Sequence, residues 1–462
     1  MTALAAAISN GSYEVSALVE EMLATLKHRG SHARFFHSNN RGQNLTIGCA
    51  SNSNRQRLFE SERAALALDG TFFSKERMWG KASIGLQPYR SFMRSVLLPG
   101  AFAELYTDRR KLFAMRDPLG LKPLYYSRKT GITAIASERK ALRRVGFQET
   151  ERILPGQLYT SSSRRLTRKH LFKLHHPPER AMTLNYAASR LKTLLARSTY
   201  LLTKDIDRVA VAFSGGLDSA LTAQLAKLAN VKVELISTGL TDSPELQTIE
   251  DRARELDLPV SIQTYDSDSL DYFVRRILWL TEEPNLMKVS IAIPLHWAAL
   301  LAAKRGHTIM LCGQGSDELY GGYYKYARIR DTEGTRSLRS ALYRSIIEAS
   351  QVNYERDEQA TCPTGVDLRT PFANLDVIQF SLQIPIQFKV KPGNDLVRKW
   401  VLRAVAKKAG LPEDLVWRHK RAIQHGTGVE KAIRKLAKKQ CQNVEAYLSS
   451  VEQTLTRLET MP

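Results

Sequence analysis

The chain has 462 residues, 43% of them hydrophobic and 25% charged, with a formal net charge of +22. That length exceeds one ordinary hydrophobic core and predicts two or three domains. No apolar run reads as long enough to cross a bilayer, which excludes a membrane-spanning protein, and four widely spaced cysteines, Cys49, Cys312, Cys362 and Cys441, exclude a zinc cluster or a disulfide scaffold. The charge draws polyanions without regard to sequence, so nucleic acid is a possible partner, although the basic residues are spread along the chain as solvated helix faces would be.

In chain order, residues 1–8 are apolar but lack a basic leader and a cleavage pattern, so they do not read as a signal peptide. A soluble, cytoplasmic protein is expected. Val15, Leu18, Val19, Met22, Leu23 and Leu26 recur at helical spacing and predict a helix over 15–27. Strand-like pieces follow at 33–36, 45–49, 65–68, 101–106, 111–115, 124–126 and 132–136, which predicts a layered β-rich domain with one or two helices. Serine, arginine and lysine, then His175-His176-Pro177-Pro178, mark an extended connection within 160–178. The paired histidines have no third ligand nearby, so a solvated linker is the preferred reading. The boundaries drawn are 1–165, a linker at 166–182, and 183–462, the last opening on an amphipathic helix over 185–203.

Val209-Ala210-Val211-Ala212-Phe213 is an uninterrupted apolar run, as expected of a parallel strand covered on both faces. Ser214, Gly215 and Gly216 then turn the chain, and Leu217, Asp218 and Ser219 open a helix. A turn without bulky side chains at a helix N-terminus offers free amides and the positive end of the helix dipole, so a phosphate is predicted there. The lysine of a kinase-type phosphate loop is missing. Strands at 231–237, 260–264 and 308–311 alternate with a helix over 243–256, indicating a parallel sheet with ligands at the carboxyl ends of its strands. The last strand runs into Cys312-Gly313-Gln314-Gly315-Ser316-Asp317-Glu318-Leu319-Tyr320-Gly321-Gly322-Tyr323, whose glycines admit close backbone approach to a ligand. Asp218 and Asp317 on neighbouring loops are suited to share one Mg²⁺. Glu318 serves equally well as a helix cap, and Cys312 reads as a small buried filler rather than a nucleophile. Residues 429–439 and 444–458 predict a basic amphipathic helical cover.

The loop Ser214 to Ser219 resembles the pyrophosphate loop of the ATP-pyrophosphatase superfamily, which implies ATP cleavage between the α and β phosphates, with Asp218 helping to hold Mg²⁺. His28-Arg29-Gly30, Asp69-Gly70, Met115-Arg116-Asp117-Pro118-Leu119-Gly120-Leu121-Lys122-Pro123-Leu124-Tyr125-Tyr126 and Ala136-Ser137-Glu138 fall in the order seen in the N-terminal glutaminase domain of the asparagine synthetase B family. The segment Cys312 to Tyr323 resembles that family's second signature, Lys399-Trp400-Val401-Leu402-Arg403 its Lys-x-x-Leu-Arg, and Trp417-Arg418-His419-Lys420 its Trp-Arg-x-Lys. The resemblance implies an N-terminal layered α+β domain of N-terminal-nucleophile type, then a doubly wound α/β domain with a helical C-terminal cover. It places Ser214, Gly215, Gly216, Leu217, Asp218, Ser219, Ser237, Cys312 and Gly313 around ATP, Asp218 and Asp317 on Mg²⁺, and Lys420 on departing pyrophosphate, with Gln314 at the adenylate; a homodimer is implied too. The sequence departs from the pattern where glutamine is hydrolysed, with Thr2 in place of the nucleophilic cysteine, and Gln314 replaces a glutamate. Met removal would leave a threonine N-terminus, a nucleophile in some hydrolases, but a structural domain without glutaminase activity is expected. Lys288 stands in the segment that shapes the family's acceptor site. The expected reaction is ATP-dependent amide formation, a carboxylate being adenylated and then attacked by ammonia or a substrate amine. A tRNA-modifying enzyme and a non-catalytic binding subunit are the alternatives.

Overall fold

The computed structural model describes residues 1–458 apart from 12, 41, 53–55, 74–87, 130, 163–164, 244–245, 394, 418–425 and 441–442. The chain divides into two compact units, essentially Met1–Lys173 and Leu174–Arg457.

In the first unit, two six-stranded antiparallel sheets face each other. Strand Thr2–Ser9 is buried at every position and pairs with Gln43–Ser51 on one side and Ile132–Ala136 on the other. Its side chains alternate: Leu4, Ala6 and Ile8 enter the core between the sheets, while Ala3, Ala5 and Ala7 pack under the helices Ser16–Thr25 and Arg139–Arg144. A strand apolar on both faces shows no polar alternation, which is why residues 1–8 gave no strand signal. Helix Pro88–Ser95 covers the outer face of the other sheet through Phe92, giving helix, sheet, sheet and helix layers of N-terminal-nucleophile type. The proposed linker needs correction at its start: Leu166–His170 is an edge strand paired with Gln157–Ser161. Its exposed, charged face hides it from a hydrophobicity pattern.

The second unit is built on a five-stranded parallel sheet in the order Val260–Tyr265, Lys232–Leu240, Arg208–Ala212, Ile309–Leu311, Asp367–Arg369. Chain order runs outward from the third strand in both directions, so connections leave Arg208–Ala212 and Ile309–Leu311 toward opposite sides and a crevice opens beyond their carboxyl ends. The helix expected over 243–256 is instead a 3₁₀ turn, Leu246–Thr248, leading into a shorter helix, Ile249–Glu255. Helix Leu286–Lys304 is long and apolar enough to cross a membrane by composition, yet 72% of its most apolar stretch is buried in the core. Helices Val429–Lys439 and Val444–Leu458 lay Val429, Ile433, Tyr447 and Leu448 onto that core beside Phe273 and Trp297, with the lysines of the first outward. His176, one of the linker pair, stacks on the Tyr343 ring with centroids 4.3 Å apart.

Candidate active site

The crevice holds a cavity whose wall includes eight of the residues singled out from sequence: Ser214, Asp218, Ser219, Ser237, Cys312, Gly313, Gln314 and Asp317. Gly216 caps helix Leu217–Leu228 without a side-chain bond of its own. The turn is tied internally, the Ser219 hydroxyl donating to the Gly216 carbonyl at 3.1 Å and accepting from the Ser214 N–H at 3.3 Å. Gly215 has φ +66°, and a Cβ there would collide with the Arg252 guanidinium. Gly313 is held close as well, since a Cβ would lie 2.7 Å from Asp218 Cβ. Leu217 faces the core at 7% exposure, so it supports the turn rather than lining the cavity. The strand end Ile236 to Thr238 forms a further part of the wall.

The two acidic loops converge, and what joins them is Lys399. Its Nζ lies 2.7 and 2.6 Å from Asp218 Oδ1 and Oδ2, 2.6 Å from Asp317 Oδ1 and 3.1 Å from Ser316 Oγ. All three charged side chains are largely buried. Lys399 and its neighbour Arg398 both sit in the left-handed region, at φ 55° and 50°, a costly conformation that persists only where the surroundings enforce it. Asp395 enforces it, accepting the backbone N–H groups of Lys391, Val397 and Arg398 and the Trp400 indole N–H at 2.8 to 3.0 Å. Burial opposes the Asp395 charge, but these bonds hold its carboxyl below the ordinary range. Arg403 adds its guanidinium to the carbonyls of Val397, Arg398 and Val416. In the sequence Lys399 stands only as part of a motif, with no place in the site; 181 positions separate it from Asp218, and no local pattern links them.

Gly322 completes the clamp. A Cβ there would fall well inside contact distance of Asp317 Oδ1 and Lys399 Cε. Gly322→Ala is therefore expected to push the lysine off its carboxylates and to reduce ATP turnover at least about 10²-fold, measured as pyrophosphate release with the fold verified by circular dichroism.

On the far wall, the Tyr323 hydroxyl and the Asn353 amide donate to Glu318 Oε1 at 2.7 and 2.8 Å. Glu318 Oε2 is buried with no partner among the described residues. The carboxylate does not itself line the cavity, but it takes two side-chain hydrogen bonds from residues that do, a role beyond that of a helix cap. Asn353 belongs to a single π-helical turn, Ser350–Tyr354, of the kind often found beside functional sites. Arg356 and Asp357 pair next to it, with Arg356 Nε 2.7 Å from Asp357 Oδ1, and burial pushes the Asp357 carboxyl up. Burial likewise drives the Cys312 thiol up to about 12, so it stays a neutral filler. Lys288 is engaged elsewhere, by Glu283 and the Gln351 carbonyl, and does not line the cavity. Lys420, with Arg418 and His419, lies outside the described residues.

In the first unit, Thr2 N donates to Asp69 Oδ1 at 3.1 Å, and its hydroxyl is buried without a partner among the described residues. Beside it Arg29, 1% exposed, bonds Asp69, Glu138 and the Thr2 carbonyl. Glu138 also takes His28 at 3.0 Å and Lys140.

A glycine-rich turn at a helix N-terminus, set at the switch point of a parallel sheet beside a second acidic loop, is the framework of a nucleotide-phosphate site. The asparagine synthase family model matches residues 190–333 and 324–457, and the glutamine amidotransferase domain model matches 92–144. A Methanocaldococcus jannaschii protein named asparagine synthetase (glutamine-hydrolyzing) is 32% identical over 391 residues, covering 74% of this chain and 72% of its own. Asparagine synthetase 3 of Arabidopsis thaliana (26% identity) and the Gallus gallus asparagine synthetase (24%) match 72% and 71% of this chain, which spans only 59% and 64% of theirs. Among solved structures, the Bacillus subtilis glutamine phosphoribosylpyrophosphate amidotransferase is similar to 56% of this chain and 65% of its own at 16% identity, with a TM-score of 0.33. The chain belongs to the asparagine synthase family, whose named members are ATP-dependent amide-forming ligases.

Proposed function

We propose that the second unit adenylates a carboxylate with ATP, releasing pyrophosphate, and that ammonia or an amine then displaces AMP to form an amide. The observation that carries this reading is the convergence of Asp218 and Asp317 on one cation, beside the amides at 214–219. The donor set fits Mg²⁺: two carboxylates meet at a point, and among the described residues no third His, Cys, Asp or Glu completes a cage. Mg²⁺ keeps waters and takes its remaining ligands from substrate phosphates. When bound, the metal would neutralise charge developing on the leaving pyrophosphate. Lys399 would turn from the carboxylates toward the phosphates, a point charge suited to that task. Ile236, Ser237 and Thr238 supply the wall for adenine, and Lys420 is assigned to pyrophosphate by its motif alone.

Gln314 has an amide where the family has a carboxylate, so it orients the adenylate and takes no proton. The proton of the incoming amine goes instead toward Glu318, through Tyr323, which lines the cavity and whose hydroxyl donates to Glu318 Oε1. Tyr323→Phe is expected to slow amide formation about 10²-fold while leaving pyrophosphate release in the absence of amine unchanged. Equal loss of both would remove Tyr323 from the second step.

Free ammonia or a substrate amine is the nitrogen source favoured by Thr2 and by the ion-paired Arg29 beside it. The decisive experiment incubates the protein with ATP, Mg²⁺, ammonium and a panel of carboxylic acids beginning with aspartate, and separates the nucleotide products. AMP with pyrophosphate is expected. ADP with phosphate would overturn the reading, as would hydrolysis of glutamine abolished by Thr2→Ala for the nitrogen source.

A further inference from the structure

At one end of the second sheet of the N-terminal unit, two hairpin turns stand side by side. Leu58–Glu60 turns through residues 61–64 into Ala65–Phe72, and Gly100–Thr107 turns through 108–111 into Leu112–Arg116. Because Ala65 pairs with Thr107 and Thr107 with Leu112, both turns leave the sheet at the same end. Helix Pro88–Ser95 lies alongside, its Tyr89 ring 6.0 Å from that of Tyr106 and 5.3 Å from that of Phe113. These three elements line an open groove of about 600 Å³ with Arg63, Arg90, Arg109 and Arg110 around Tyr89 and Tyr106.

The charges are poorly balanced. Glu62 and Asp108 are the acids in the groove, and Asp108 Oδ1 is committed to the turn, accepting the backbone N–H groups of Arg110 and Lys111 at 2.9 and 2.8 Å. Among the described residues no acid pairs with any of the four guanidiniums. Arg109 is held at φ +69° with its guanidinium 5.3 Å over the Phe36 ring, and its Nε is buried without an acceptor. A merely solvated basic face needs neither a strained arginine nor aromatic rings between its charges. Tyr89 is 42% exposed, so its ring is open for stacking.

We propose that this groove binds single-stranded nucleic acid, with the arginines on successive phosphates and a base stacked on Tyr89. The guanidiniums come from three separate elements along the groove, which suits a phosphate backbone passing through better than one compact anion. Base stacking on an aromatic ring combined with a cationic groove is the general recipe for sequence-tolerant strand binding. The net charge of +22 adds long-range attraction.

The test measures fluorescence anisotropy of a labelled ten-nucleotide uridine RNA with the full-length protein between 50 and 200 mM salt. Wild type is expected to bind with log K falling linearly against log salt. The triple variant Arg63→Ala, Arg90→Ala, Arg110→Ala is expected to weaken binding at least about 10-fold and to flatten the slope by about 2, at roughly 0.7 per lost phosphate contact. Tyr89→Ala is expected to weaken it about 5- to 100-fold with the slope unchanged. All these side chains are exposed, so folding is preserved, and pyrophosphate release from ATP provides an internal check that should not move. Replacing Lys431, Lys435 and Lys438 of the second unit with alanine controls for bulk charge and should leave most binding intact. The proposal is overturned if wild type does not bind at 50 mM salt, if the triple variant binds as well as wild type, if the lysine control loses as much as the arginine variant, or if polyglutamate competes as effectively as RNA, which would assign the groove to acidic protein segments.

Discussion

Asp218→Asn is expected to lower pyrophosphate release from ATP about 10³-fold without unfolding the protein. The substitution keeps the side-chain shape and removes one of the two carboxylates that converge on Lys399. Withdrawing a preorganised charge from a site that stabilises a leaving group costs about 10²–10³ in rate, and on the reading proposed above Mg²⁺ would also lose one of the two carboxylates assigned to it. Lys399 retains Asp317 and Ser316, so the clamp is weakened rather than orphaned. Lys399→Met is the harsher change: it leaves two buried carboxylates facing each other, and breaking such a cluster costs about 3–5 kcal/mol. Lys399→Arg is not expected to rescue activity, because a planar fork does not replace a point charge reached from a left-handed backbone. Parallel thermal melts separate lost chemistry from lost fold. Wild-type rates in Asp218→Asn would dismiss the convergent loops as the reaction centre.

Glu138→Ala should destabilise the N-terminal unit by about 3–5 kcal/mol, the usual consequence of stripping the partner from buried cations. Glu138 is fully buried and binds Arg29, His28 and Lys140 together. Burial works against its charge, but these neighbours outweigh burial and hold the carboxyl well below its ordinary value of 4.5. The sign follows: a carboxyl depressed in the folded state contributes stability that is complete above about 4.5 and is lost as pH falls through the folded value. Calorimetry should show the unit unfolding at lower temperature in Glu138→Ala, with a weaker dependence on acid than wild type. Identical acid sensitivity in both proteins would place the titrating group elsewhere. Burial draws the His28 ring downward against the pull of Glu138, so the permanent positive charges of the cluster are Arg29 and Lys140.

Much of this arrangement was legible in the residues because it rests on local chemistry. Ser214 to Ser219 and Gly313 to Asp317 are short, contiguous and glycine-dependent, so their turn geometry follows from composition. The helix Val429–Lys439 follows from the spacing of its apolar positions Val429, Ile433 and Ala437. What escaped was non-local. Lys399 reaches the carboxylates only through a loop whose conformation Asp395 sets, and Glu138 meets Arg29 across 109 positions. Such partners are chosen by the packed fold, and charge alone does not distinguish them from solvated residues. Strand Leu166–His170 escaped for the opposite reason, since it buries too little to leave a hydrophobic trace.

The strand Thr2–Ser9 lies between partners from residues 43–51 and 132–136, and Ser137 N–H closes on the Leu4 carbonyl. A ribosome therefore releases residues 2–9 long before one of their two neighbours exists. Until residue 136 has been made, that apolar ribbon has an unpaired edge in the nascent chain. The first unit should accordingly mature late and abruptly during translation, and truncation before residue 132 should yield an aggregating product rather than a smaller folded one.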